Sequence, residues 1–183
     1  MTIDIPGYSV GTWSLDTAHS EVGFSLRHMM ISKVKGVFER FTGTITTAEN
    51  PLESRVDASV EVASINTKNS DRDGHLMAGD FFLADEFPTM DFVSTGVRHE
   101  DGQFLVDGDL TLRGVTKPVT FEFDFGGFNT SPQGAKIAGA SATTKIKRSD
   151  FGLTWNAPLE TGGAILGDDV TITLELEAVL NES

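Results

Sequence analysis

The chain has 183 residues and no cysteine, and its 14 Lys and Arg are outnumbered by 27 Asp and Glu, for a formal charge of −13. The length suits one domain, spanning 1–183, that buries about 70% of its unfolded surface without a staple; the lack of cysteine excludes disulfides, Cys-ligated zinc, iron–sulfur clusters and thiol catalysis. The negative charge argues against nucleic acid, whose phosphates need a basic footprint, and against docking on anionic lipid headgroups.

The N-terminus has no basic n-region, since the first Lys or Arg is Arg27, and residues 1–11 hold no apolar h-region. No secretory signal is expected, and a cytoplasmic location is the reading that follows. No run approaches the ~20 apolar residues of a membrane span, so no integral membrane segment is expected.

From Thr12 onward the dominant period is two. Val22, Phe24 and Leu26 alternate with Glu21, Gly23, Ser25 and Arg27, and Val56, Ala58, Val60 and Val62 alternate with Asp57, Ser59 and Glu61. Each run predicts a strand with one dry face and one wet face. Residues 67–79 break this pattern. Ser70 with Asp73 resembles a capping box and Gly79 a C′ residue, which predicts a short helix near 69–79 followed by a loop around Asp85 to Pro88.

Alternation returns downstream. Asp101-Gly102 opens a strand carrying Phe104, Val106, Leu110 and Leu112, and Arg113-Gly114 suits a two-residue hairpin loop. Val119, Phe121, Phe123 and Phe125 share one face of the next run, which Gly126-Gly127 is expected to end. The 136–147 strand sets Ala138, Ala140 and Ala142 on one face and Gly139, Ser141 and Thr143 on the other. Gly162-Gly163 marks a further break before the eight alternating positions from Val170 to Glu177. Eight or nine strands result, and no crossover helix is available for parallel pairing. The all-β pattern fits either a sandwich or a closed barrel. Small inward residues leave room for a cavity, yet the 13 Phe residues could fill it.

Constellations for other chemistry are weak. Asn69, Asp71, Asp73, Gly74 and Asp80 nearly fit a calcium loop, but the last ligand is not Glu and a strand precedes it. His19, His28, His75 and His99 lack zinc spacing, so no metal is expected. Asp16, His19 and Ser20 are triad types, but on a strand His19 and Ser20 point to opposite faces. Asp168-Asp169 reads as turn chemistry before a strand.

Ordered motifs run almost end to end: Trp13-Ser-Leu-Asp16-Thr-Ala-His19-Ser20, Val22-Gly-Phe24-Ser-Leu-Arg27-His28-Met29, Gly36-Val-Phe38, Phe41-Thr-Gly43, Ser64-Ile-Asn-Thr67, Arg72-Asp73-Gly-His75-Leu76 and Asp80-Phe81-Phe82. Phe87-Pro88 through Thr95, Gly108 through Val119, Arg148-Ser-Asp150-Phe151-Gly152 and Gly167-Asp168-Asp-Val170-Thr-Ile172 complete the series. In this order they resemble the YceI-like family of lipocalin-like, polyisoprenoid-binding barrels. The resemblance implies an eight-stranded antiparallel barrel with a helical insertion, an apolar tunnel for a long-chain isoprenoid lipid of polyprenyl or quinone type, and a homodimer. It carries over no catalytic residue and no cofactor.

An isoprenoid tail needs a dry, narrow wall. Phe24, Leu26, Phe38, Phe41, Val60, Phe92, Leu110, Leu112, Phe121, Phe123, Ile146 and Phe151 are the candidates, with ordinary core as their alternative role. A headgroup needs polar groups at the mouth. His19, Lys145, Lys147 and Arg148 are the candidates, set against a solvated face or an Arg148–Asp150 ion pair. The leading expectation is a non-enzymatic carrier. Its rivals are an enzyme acting on a small apolar substrate through His19 or Asp16, a fatty-acid-type lipid binder, and a scaffold with a packed interior.

Overall fold

The computed structural model describes residues 3–160 and 163–182. Eleven strand segments follow in chain order: β1 (Gly11–Leu15), β2 (Glu21–His28), β3 (Ser32–Phe38), β4 (Phe41–Thr47), β5 (Arg55–Glu61), β6 (Ile65–Asn66), β7 (Thr89–Glu100), β8 (Gln103–Leu112), β9 (Val115–Thr130), β10 (Lys136–Lys147) and β11 (Leu166–Leu180). One α-helix, α1 (Ser70–Met77), lies between β6 and β7.

Every strand pair is antiparallel, and the segments form one up-and-down barrel of eight staves. The first three staves are each interrupted once. β1 pairs with the end of β11 (Trp13 opposite Leu180), and β2 pairs with its middle (Phe24 opposite Ile172). Residues 16–20 bulge between them, held by the Asp16 amide donating to Glu177 O at 2.8 Å and the Glu177 amide donating to Ser20 Oγ at 3.0 Å. β3 and β4 form the second stave, and β5 and β6 the third. His19 and Ser20 therefore lie in a bulge, not on a strand, so the opposite-face expectation does not apply to them. Closure removes the free edges that an open meander would expose, except at the short β6, which pairs with β3 alone.

Turn chemistry sets the hairpins. Asp101-Gly102 and Arg113-Gly114 both have positive φ, 50° and 79° for one pair and 50° and 72° for the other. This is the two-residue turn whose twist matches the strands. Gly126-Gly127 does not end a strand. It lies inside β9 where the register against β10 shifts at Gly139/Ala140, and Gly127 takes φ 118° there. Gly162 lies outside the described residues.

α1 starts one residue earlier than the capping pattern predicts. Asn69, not Ser70, is the N-cap, accepting from the Arg72 amide at 3.0 Å. Asp73 turns back to accept from the Thr67 amide at 3.0 Å and its hydroxyl at 2.5 Å. Ala78, in extended conformation, is the C-cap, which puts Gly79 at C′ as expected, though without the positive φ of a left-handed cap. The near-calcium pattern is thus dispersed along a capped helix.

The two barrel ends are closed differently. At one end Trp13, 1% exposed, lies 5.7 Å from the Phe128 ring and donates to Thr47 Oγ1 at 3.0 Å. Tyr8 meets Phe128 edge-on and donates to Ala48 O at 2.6 Å. At the other end β6 pairs with β3 alone, and α1 and the loop after it supply Leu76, Phe81 and Phe82 instead. Phe81 is buried with Leu110, Leu112, Phe151 and Leu153.

Candidate functional site

Closing eight alternating strands turns their apolar faces inward, and the side chains do not fill the space they enclose. A cavity of about 380 Å³ occupies the α1 half of the barrel. That volume falls within the about 300–1,000 Å³ typical of small-molecule sites. Val22, Phe24 and Leu26 of β2, Val56, Ala58 and Val60 of β5, and Val170, Ile172, Leu174 and Leu176 of β11 show how period two builds the wall. A smaller cavity of about 90 Å³ lies towards Trp13, and Ile45, Val56, Phe123 and Leu176 border both.

Small residues keep the space open. Gly43 lies on the cavity wall, and a Cβ there would sit 2.5 Å from the Leu15 side chain. At Gly108 a Cβ would collide with the Phe92 ring and lie 2.7 Å from Val93 O. Phe92 is one of the wall residues, and its ring stands edge-on to Phe121 at 5.3 Å.

Of the twelve wall candidates, Phe24, Leu26, Phe38, Phe41, Val60, Phe92, Leu110, Leu112, Phe121, Phe123 and Ile146 line the larger cavity. Phe151 does not. It is packed in the buried cluster behind Leu110 and Leu112, on the one-turn 3-10 helix that follows β10.

The headgroup candidates are not brought together. Lys145 and Lys147 flank the inward-facing Ile146 and are exposed on the outer face, with Lys147 3.0 Å from Asp169. That pairing raises the Lys147 ammonium above its usual range. His19 is exposed on the β1–β2 bulge, 2.8 Å from Asp16 and 3.4 Å from Glu177, and it is absent from the cavity wall. Its hydrogen bond to Asp16 raises the imidazole above 6.5 and lowers the Asp16 carboxyl below 3.8.

Arg148 alone of the four lines the cavity, and it is 7% exposed. It makes no ion pair with Asp150. Its Nε donates to Gly167 O at 2.8 Å, and Nη1 donates to Leu153 O at 2.7 Å and Trp155 O at 2.9 Å. Nη2 reaches Leu166 O at 3.5 Å. Burial lowers its pKa, opposed by the nearby Asp168 carboxylate. Asp168 accepts from the Ser149 amide at 2.9 Å and hydroxyl at 2.7 Å, and that hydroxyl bond lowers its own pKa. Asp168 and Asp169 therefore do not make a turn. They sit at a bulge within β11, tied to the end of β10.

Polar groups reach the cavity from α1 as well. Arg72 and His75, one helical turn apart, are both on its wall, as is Asp91. Arg72 donates through Nε to Thr67 Oγ1 at 2.8 Å and through Nη2 to Thr67 O at 2.7 Å. His75 pairs with Asp80 at 2.9 Å and stands edge-on between Phe81 and Trp155, at 5.1 and 5.0 Å. Sequence reasoning did not single out Arg72, His75 or Trp155 as wall residues. The Arg72 to Leu76 motif was the available signal, since residues at i and i+3 of a helix share a face.

The family model for the YceI-like domain matches residues 13–178. UPF0312 protein SAS2572 of Staphylococcus aureus (strain MSSA476) is 38% identical over 172 residues, which cover 93% of this chain and 98% of that one. The Campylobacter jejuni YCEI protein superposes with a TM-score of 0.73 at 34% identity, covering 97% of this chain and all of that one. Two more distant structures share the fold. BcnA of Burkholderia cenocepacia has a TM-score of 0.77 at 22% identity, covering 89% of this chain and 98% of that one. A polyisoprenoid binding domain from Saccharophagus degradans has a TM-score of 0.67 at 15% identity, covering 94% and 100%. The barrel, its helical insertion and these matches place the chain in the YceI-like family.

Proposed function

We propose that this protein is a non-enzymatic carrier that holds a long isoprenoid tail in its barrel. The observation that carries the reading is the apolar hollow of about 380 Å³ running inward from the α1 end. A tail is recognised by burial alone, at ~0.8 kcal/mol for each CH₂-sized group, so one five-carbon unit contributes about 4 kcal/mol. A few such units exceed the cost of immobilising the ligand. The description of the Saccharophagus degradans domain as polyisoprenoid binding supports the same class of ligand.

The eleven wall residues from Phe24 to Ile146 contact the tail in this reading. Arg72 and His75 face the headgroup. The Nη1 of Arg72 has no protein acceptor among the described residues, and a quinone or phosphate oxygen is the partner its charge favours. Arg148 has a different part: it uses its donors on four carbonyl groups and holds the rim in shape.

The test is a titration with prenyl alcohols of increasing length, followed by fluorescence. Trp155 reports because it lines the cavity, while Trp13 is at the far end. Affinity should rise with each added unit until the hollow is filled, and Ala58→Trp should abolish binding in a folded protein. Binding that ignores tail length, or that survives Ala58→Trp, would overturn the reading.

A further inference from the structure

The tip of the β2–β3 hairpin carries the most exposed apolar group on the described surface. Ile31 is 84% exposed, Met30 64% and Met29 44%. Three large apolar side chains in sequence on a loop tip are costly to keep in water. The backbone adds a second cost. Met29 and Met30 have φ of 52° and 63°, a region where glycine or asparagine is the cheaper choice. This protein's other tight hairpins use Gly102 and Gly114 in such positions. Met30 Sδ packs against Gly163, yet all three side chains stay exposed, so this contact offsets only part of either cost.

The charge around this tip runs against that of the whole chain. Residues 22–38 contain no Asp or Glu but include Arg27, Lys33 and Lys35. All three are exposed, and Arg27 lies directly opposite Lys33 across the hairpin. Like charges so placed repel unless an external anion sits against them. The nearest carboxylates in register, Asp168 and Asp169, are already bonded to Ser149 and Lys147.

The base of the hairpin is cavity wall. His28 and Val34 line the hollow together with Ile165 and Leu166, and the Met29 amide donates to Ile165 O at 2.6 Å. An apolar tip, a basic collar and a cavity rim thus meet at one place.

We propose that the β2–β3 hairpin is a membrane-docking element that inserts Met29, Met30 and Ile31 between anionic lipids while Arg27, Lys33 and Lys35 bind their headgroups. The chain-wide charge of −13 hides this patch, so the expectation that the protein avoids anionic surfaces fails locally. The docking gives the isoprenoid reading a route for the ligand, but it stands on the hairpin alone and is tested without ligand.

The experiment is co-sedimentation of ligand-free protein with equimolar phosphatidylglycerol–phosphatidylcholine vesicles and with pure phosphatidylcholine vesicles. Wild type should bind the anionic vesicles, bind the neutral ones poorly, and be released at about 1 M salt, where charges are screened beyond ~3 Å. Each basic residue at a membrane surface contributes about fivefold in partition, so the pair Lys33→Gln and Lys35→Gln should lose about 25-fold. Met30→Ser with Ile31→Ser, which leaves the charges in place, should lose about tenfold or more. These residues lie outside the cavity, so prenyl alcohol binding in free solution should persist in both variants. No binding of wild type to anionic vesicles, or equal binding by all variants, would overturn the proposal. So would a tip variant that changes only the oligomeric mass, since the tip would then be a contact between copies. Prenyl alcohol binding without vesicle binding defeats the docking alone; the reverse defeats the carrier reading alone.

Discussion

Replacing Arg148 by methionine removes a buried cation together with the donors it sends to four carbonyl groups at the cavity rim, of which Leu166 O also accepts from Asn156 Nδ2 at 2.7 Å. Three of those bonds, to Leu153, Gly167 and Trp155, lie between 2.7 and 2.9 Å, and the fourth, to Leu166, is long at 3.5 Å. A hydrogen bond from a charged donor contributes about 1.5–3 kcal/mol, so the three good bonds represent roughly 4–9 kcal/mol gross. Methionine recovers part of this, because the buried guanidinium no longer has to be desolvated. Leu166 O also keeps its bond from Asn156 Nδ2. A net loss of about 3 kcal/mol is expected, which for a chain of this size lowers Tm by roughly 6–12 °C. Arg148→Lys keeps the charge but not the planar fork, and should fall about midway. Urea unfolding of the three proteins measures this directly. If Arg148→Met lies within about 1 kcal/mol of wild type, the guanidinium is not the clasp described.

Further perturbations probe other parts of the barrel. Gly108→Ala should destabilise by about 1–3 kcal/mol, because the new methyl meets the Phe92 ring and Val93 O; unchanged urea midpoints would mean that this wall is loosely packed. His19 should titrate above 6.5 by NMR, and Asp16→Asn should bring it down, since the Asp16 hydrogen bond is the main cause of the shift. The linked stability is fully present below the unfolded histidine value and is lost as pH rises through the raised one. For Asp16 the sign reverses: its contribution is present above the ordinary carboxylate value and lost as pH falls through the lowered one. A D16N protein whose His19 titrates as in wild type would refute the pairing. Asp73→Ala should loosen the start of α1 by about 1–2 kcal/mol, as the Thr67 amide and hydroxyl lose their shared acceptor; faster amide exchange at Thr67 is the sensitive readout.

Much of the wall was legible because a strand has only two faces. The period-two runs at 22–26, 56–60 and 170–176 mark the face that lines the cavity, although of these runs only Phe24, Leu26 and Val60 are among the wall candidates. The same rule separates the basic cluster around Ile146: Lys145 and Lys147 have the outward parity of β10, whereas Arg148, the first residue of the 3-10 helix that follows, keeps the inward parity of Ile146. Closure was not legible from local pattern. It rests on Trp13 meeting Leu180 and on β11 serving both β1 and β2, and these are pairings between chain ends. The three interrupted staves were hidden for the same reason: a bulge such as 16–20 shows itself only against its partner, here Glu177. Whether thirteen Phe would fill the barrel was a question of volume that local pattern does not carry; a hollow of about 380 Å³ remains among the packed side chains. Arg72 and His75 reach the wall because a helix, and not a strand, covers the open end.

The central claim is that the hollow holds one isoprenoid chain. Native mass spectrometry of the purified protein, before and after incubation with a polyprenyl lipid, tests it most directly. The account predicts one lipid per chain, either carried through purification or acquired on incubation, and absent from Ala58→Trp. A protein that stays empty in both conditions, or an Ala58→Trp variant that loads as well as wild type, would contradict it.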